Sequence, residues 1–336
     1  MTVSVSPDRS CCGIWVKVYW AEVPGASVNV QMTSKRSSGH AEGMTVPATA
    51  GSDEASELVN WWLGSEPQEV FGYGRLGFYG ADAGIRHGLR RDYQRAYNSP
   101  QARDDPFALD ISGHQGLREL YLDAESDSGY IRDRNVFDGK ISIEDDMAVL
   151  VRYVTGASMS YHLTAYSPWE GYRVMFNGSA GRLELEVVES HWQPRPDQTV
   201  PTTGAIHGEV AMANAGGATI RVRRLWEPPT DTFVAGGHGG HGGGDERMLT
   251  ALYGPPDLGA EPVSADAARQ SANQRDGALA LAVGVAANEC FVTGQPVRIA
   301  DLVEFRRRRR DELCGYQGLL GAAGVIPELP CRRRRI

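Results

Sequence analysis

The 336-residue sequence predicts an α+β domain built on a large, open, mostly antiparallel sheet with flanking helices. Three observations predict it. Two pairs of apolar-rich segments are joined by tight turns: MAVLVRY and ASMSYHLTAY flank Val154-Thr155-Gly156, and YRVMFN and RLELEVVE flank Gly178-Ser179-Ala180-Gly181. Such pairs are antiparallel hairpins. Within RLELEVV, Leu183, Leu185 and Val187 alternate with Glu184 and Glu186, which gives the sheet one covered face and one wet face. Segments of helical apolar spacing lie before and after these strands, and helices segregated from a run of strands make an α+β fold.

In chain order, residues 1 to about 50 show no sustained period apart from a possible strand at CGIWVKVYW, and are expected to be an atypical, poorly structured segment. In SDEASELVNWWLG, Ser52 suits a helix cap, Asp53 and Glu54 complement the dipole, and Ala55, Leu58, Val59 and Trp62 form one apolar face. Gly64 stops this helix. A strand is expected from 66 to 80, then a polar excursion or short helices from 81 to 115, with 117 to 126 ambiguous. After the hairpins, ATIRVRRLW at 218 to 226 is a strand ending before Pro228-Pro229, and helices follow at DERMLTALYG from 245 and from about 264 to 289. The division is thus 1–50, a 51–305 α+β domain, and an Arg-rich tail over 306–336 expected to be disordered.

Composition narrows the class. With 41% hydrophobic and 23% charged residues the chain is globular. Its longest apolar run, GALALAVGVAA at 277 to 287, is shorter than a bilayer span, and the opening residues lack a signal-peptide pattern, so a cytoplasmic protein is expected. Five cysteines, with Cys11 and Cys12 adjacent, form neither a disulfide framework nor a zinc spacing. The net charge of −8 hides nine arginines at 306–310 and 332–335; without them 25 basic residues face 42 acidic ones, a balance of −17. An acidic body of this kind repels nucleic acid and anionic membranes, so neither is an expected partner.

Four stretches carry candidate chemistry. FGYGRLGFYG, 71 to 80, has Gly72, Gly74 and Gly77 at GxGxxG spacing, but FYGADAGIRHG after it shows no helical stripe to point at a phosphate. The motif therefore reads as a decoy, a Gly-rich strand that admits a close neighbour. GGHGGHGGGD, 236 to 245, offers His238, His241 and Asp245, which suit a metal site, a binding loop, or a helix cap with solvated histidines. GYIRDRNVFDGKISIEDDM, 129 to 147, interleaves Arg132, Asp133 and Arg134 with Glu144, Asp145 and Asp146, a set for a polyhydroxylated ligand or for solvent. AYSPWEGY, 165 to 172, sets Tyr166, Trp169, Glu170 and Tyr172 at a strand junction, either as a sugar-stacking surface or as an aromatic turn. No nucleophile elbow, P-loop or HExxH motif occurs in the sequence.

Together, LVNWWLGSEPQEVFGYGRLGFYG, DPFALDIS, GYIRDRNVF, ISIEDDMAVLVRY, MSYHLTAYSPWEGYRVMFNGSAGRLELEV, GGHGGGD and AANECFVTGQPVRIADLV resemble, over about residues 57 to 305, the C-terminal half of a Gfo/Idh/MocA-type oxidoreductase. The resemblance implies an open, largely antiparallel sheet that shapes a substrate site and serves as the oligomer interface. It also implies sugars or polyols as substrates, and NAD or NADP held by an N-terminal Rossmann domain. Two departures stand out. Fifty residues are too few for that Rossmann half. The family's proton-transfer histidine and Asp or Lys fall on Glu54 and Ala50, and alanine exchanges no proton.

The expectation is therefore a substrate-binding and oligomerisation domain that binds no cofactor itself, supplies no catalytic residue and holds no metal. The expected substrate contacts are Arg132, Asp133, Tyr166, Glu170 and His241. Residues 1 to about 56 and about 306 to 336 read as altered ends, out of frame with the rest. The alternative is a non-catalytic binding or scaffolding module that dimerises through its sheet face.

Overall fold

The two hairpins of the sequence form the middle of the sheet in the computed structural model, which describes residues 2–5, 16–19, 26–35, 49–113, 115–168, 170–191, 217–235, 249, 253 and 272–303. Strands β1 (Thr2–Val5) and β2 (Val16–Tyr19) pair as a separate two-stranded sheet. The main sheet starts with β3 (Ser27–Lys35); after helix α1 (Thr49–Leu63) come β4 (Pro67–Arg75) and the seven-residue α2 (Gly80–Arg86). An excursion over 87–145 contains α3 (Gln115–Leu117), a π-helical turn at Arg118–Leu122 and α4 (Glu125–Ser128). The excursion leads into β5 (Asp146–Tyr153), β6 (Ser158–Ser167), β7 (Glu170–Gly178) and β8 (Gly181–Ser190). Strands β9 (Gly217–Arg224) and β10 (Thr230–Ala235), helix α5 (Gln274–Thr293), β11 (Val297–Arg298) and α6 (Ile299–Leu302) follow.

Nine strands lie in the order β10-β9-β8-β7-β3-β6-β5-β4-β11. The sheet is mixed, which corrects the largely antiparallel one expected from the hairpins. β3 sits between β6 and β7, parallel to the first and antiparallel to the second. Residues 27–35, expected to lack regular structure, are thus central to the sheet. Their period of two was legible, because Val28 and Val30 are buried while Ser27, Asn29 and Gln31 are exposed. Their partners lie more than 130 residues away, and one such contact is Asn29 Nδ2 donating to Ser160 Oγ at 2.6 Å.

Alternation sends Met147, Val149, Val151 and Tyr153 of β5 to the covered face, together with Met159 and Tyr161 of β6. There they meet Val59 of α1 and Leu279, Val283, Ala286 and Cys290 of α5. α1 begins at Thr49, three residues ahead of the expected Ser52 cap, and Gly64 ends it with φ +57°. Trp62 packs edge-on to Phe176 at 5.6 Å, whereas Leu58, expected on the inner face, is exposed. The described part of the final long helix begins where Asn273 caps it in a capping box with Asp276. The apolar run at 277–287 belongs to a 20-residue helix whose length and composition would also suit a membrane span. Here its small residues allow it to lie close on the sheet.

That close approach accounts for two of the glycines in FGYGRLGFYG. A Cβ on Gly74 would come within 2.7 Å of the Phe291 ring of α5, and one on Gly72 within 3.1 Å of that ring and 2.9 Å of the Ala148 carbonyl oxygen of neighbouring β5. Both glycines keep β4 smooth beneath a helix.

Candidate functional site

The site lies where β4 ends and β5 begins, beside the end of β6. Gly77 leaves β4, and the Gly77, Phe78 and Tyr79 amides turn inward onto one carboxylate. Asp145 accepts from Gly77 N at 2.6 Å, Phe78 N at 2.8 Å and Tyr79 N at 2.7 Å, and is itself 2% exposed. An internal anion stands where a dinucleotide site would place a pyrophosphate. One sequence expectation is corrected: a helix does follow the glycines, since α2 opens at Gly80, whose φ of +81° suits glycine. It runs for only seven residues, and its N-cap amide, on Tyr79, is already bound by Asp145.

Asp146, one residue on, points to the other face. Its Oδ2 accepts from Arg75 Nε at 2.9 Å, and its Oδ1 lies 2.8 Å from His162 Nε2. These three sit on β5, β4 and β6 in adjacent register, because Arg75 opposes Asp146 and His162 opposes Ala148. Burial pushes the Asp146 carboxyl up, but the hydrogen bonds from His162 and Arg75 outweigh it and hold the group below its ordinary range. A carboxyl depressed in the folded state contributes stability that is present above its unfolded pKa and lost as pH falls through the folded value. Comparing unfolding of the wild type with Asp146→Asn should therefore show a steady advantage for wild type at neutral pH that shrinks below about pH 4. A difference that persists unchanged into acid would contradict the assignment.

Tyr166 completes the cluster. Its ring stacks on Phe78, with centroids 5.1 Å apart and planes 19° apart, and burial followed by the Asp146 charge pushes its phenol up. Phe78 in turn meets Tyr79, His87, Phe107 and Phe137, so the strand ends are joined to the excursion by a continuous aromatic layer.

The five expected contacts fall in different places. Tyr166 is in the cluster, and Glu170 opens β7 just beyond it, half-buried. Arg132 lies over the Tyr121 ring at 4.5 Å, with Nη1 3.5 Å from the Tyr130 hydroxyl. The Asp133 side chain is 0% exposed: it accepts from Arg95 at 2.7 and 3.3 Å and from Tyr97 N at 2.6 Å, while the same Arg95 grips Glu125. Asn135 nearby donates to the Arg91 and Tyr93 carbonyls. In GYIRDRNVF these groups brace the excursion. His241, with the rest of the glycine loop, lies outside the described residues, as does Trp169. Among the described residues no group of three or more His, Cys, Asp or Glu is placed to hold a metal. Asp145, Asp146, Arg75 and His162 are what sequence reasoning missed as a set. The adjacent acids were visible, but nothing local told that one faces an amide turn and the other a histidine.

The open face of the sheet begins at this cluster. Tyr73 and Leu150 are exposed on β4 and β5, and Phe71 meets Tyr73 edge-on at 5.1 Å. Farther across, ion pairs take over: Arg173 with Glu186, Arg223 with Glu184 and Arg221 with Asp231 join neighbouring strands, and Arg182 joins Glu184 along β8.

Fold and site together define an α+β domain of the helix-backed, open-sheet class. No protein-family model matches the chain. In sequence it is homologous to the Bacillus subtilis (strain 168) protein named "Putative oxidoreductase YteT", with 30% identity over 258 residues. That alignment takes in 74% of this chain and 55% of YteT, so the chain spans about half the length of its curated relative. Among solved structures, the oxidoreductase domain protein from Kribbella flavida has 12% identity and a TM-score of 0.44, over 83% of this chain and 59% of its own. The oxidoreductase from Agrobacterium radiobacter in complex with NAD+, L-tartaric acid and magnesium has 10% identity and a TM-score of 0.42, over 82% and 57%.

Proposed function

We propose that this chain is the substrate-binding and oligomerisation domain of an NAD(P)-dependent dehydrogenase of Gfo/Idh/MocA type, acting on a sugar or polyol, and that it carries no nicotinamide site of its own. The homology to YteT supports the oxidoreductase class. The observation that carries the reading is the use of the glycine motif: Gly72 and Gly74 lie under Phe291, and the amides from Gly77 to Tyr79 are bound to Asp145. Tyr166 and Glu170 are the proposed ligand contacts on described strands, and His241 of the glycine loop is proposed as a third. Arg132 and Asp133 act from behind, through the excursion they brace. The exposed Tyr73 and Leu150 support self-association through the open face.

Mixing the protein with NADH is expected to leave the nucleotide's fluorescence unchanged, while saturation-transfer NMR against inositols and hexoses gives signals that Tyr166→Ala removes. A saturable rise in NADH emission would overturn the reading. Absence of any polyol signal, with a dimer in light scattering, would favour the alternative of a scaffolding module.

A further inference from the structure

We propose that Asp145 is the positioning residue of this site: an internal anion that holds three consecutive amides and, through them, sets the ring wall made by Phe78 and Tyr166. The inference rests on the reading above in taking Tyr166 as a ligand contact. Its geometry stands apart from that reading.

Asp145 joins three strand ends. Its own amide donates to the Arg75 carbonyl at 3.0 Å, its carbonyl accepts from Ala165 N at 2.8 Å, and its carboxylate takes the amides of Gly77, Phe78 and Tyr79. A carboxylate has acceptor sites enough for three donors at once, whereas an amide side chain replaces one oxygen with a donor that would face Gly77 or the Phe78–Tyr79 pair. Without the anion, donors in a half-buried turn lose their partners, and the turn must rotate to recover them. Phe78 sits in the middle of that turn. Its N–H is held by Asp145 Oδ2 while its ring lies on Tyr166, and Tyr79 reaches the same strand end through its hydroxyl, 3.3 Å from the Ala165 carbonyl. Asp146 offers no substitute, because it projects to the opposite face, where Arg75 and His162 hold it.

The test uses Asp145→Gly and Asp145→Asn in the full chain, with sodium formate as a replacement carboxylate and sodium chloride at equal ionic strength as the control. In Asp145→Gly the ring-to-ring NOE between Phe78 and Tyr166 is expected to vanish while Met147 and Met159 methyl signals of the sheet core persist. Formate restores the NOE and chloride does not. Polyol affinity, where wild type shows it, falls about tenfold and recovers with formate. An NOE that survives in Asp145→Gly, or equal effects of formate and chloride, overturns the proposal. If that variant does not fold, Asp145→Asn decides: the amide protons of Gly77 to Tyr79 should move upfield with the sheet signals unchanged, and unmoved amides overturn it. The ring readout needs no sugar, so formate rescue in a protein that binds no polyol leaves Asp145 in place and removes only the ligand reading.

Discussion

Asp133→Ala is expected to cost about 3 kcal/mol of unfolding free energy, the lower end for breaking a buried ion pair. The low end applies because Arg95 keeps its two bonds to Glu125, at 2.6 and 2.9 Å, and is not left wholly unpaired. The loss comprises the Arg95 bonds and the acceptor for Tyr97 N, all at a side chain with no solvent exposure. Urea denaturation measures the effect. A double-mutant cycle with Arg95→Met should show clear non-additivity, because the second change removes the charge that the first one exposes. A variant that unfolds like wild type yet loses polyol binding would return Asp133 to the role its sequence context suggested, a carboxylate facing ligand.

Phe137→Ala is expected to cost about 3 to 5 kcal/mol, the range for emptying a fully buried aromatic position. Phe137 is 0% exposed, with its ring 5.0 Å from Phe107 and 5.9 Å from Phe78. Its Cβ lies so near the α2 backbone that a Cβ on Gly84 would approach it to 2.8 Å. The side chain therefore fastens the excursion to the turn that Asp145 organises. Hydrogen exchange adds a spatial criterion: protection should fall over α2 and around 130–141 while β5 and β6 stay protected, as expected when a unit opens sub-globally. Uniform loss across the sheet would show that the excursion and the sheet unfold as one unit.

Both predictions concern residues whose roles sequence reasoning left open, for a common reason. Arg132 and Asp133 look like ligand groups because charged residues between strands have two physical fates, solvent or burial with a partner, and the partner Arg95 lies 38 positions away from Asp133. The glycine motif was different. Its use as a Gly-rich strand that admits a close neighbour was legible, although the short helix α2 was not, since its seven residues contain two glycines. The strand junction in AYSPWEGY was legible, and Tyr166 and Glu170 flank it at the end of β6 and the start of β7.

By itself the sequence determined the hairpins β5–β6 and β7–β8, the inner faces of their strands, and the stop of α1 at Gly64, since each depends on neighbours a few residues apart. Tertiary structure alone decided that β3 enters between β6 and β7, and that Asp145 turns to three amides while Asp146 turns to Arg75 and His162. These contacts span 16 to 150 residues of chain. Such contacts are selected by the closing of the sheet and the burial of unpaired polar groups, neither of which has a local period to read.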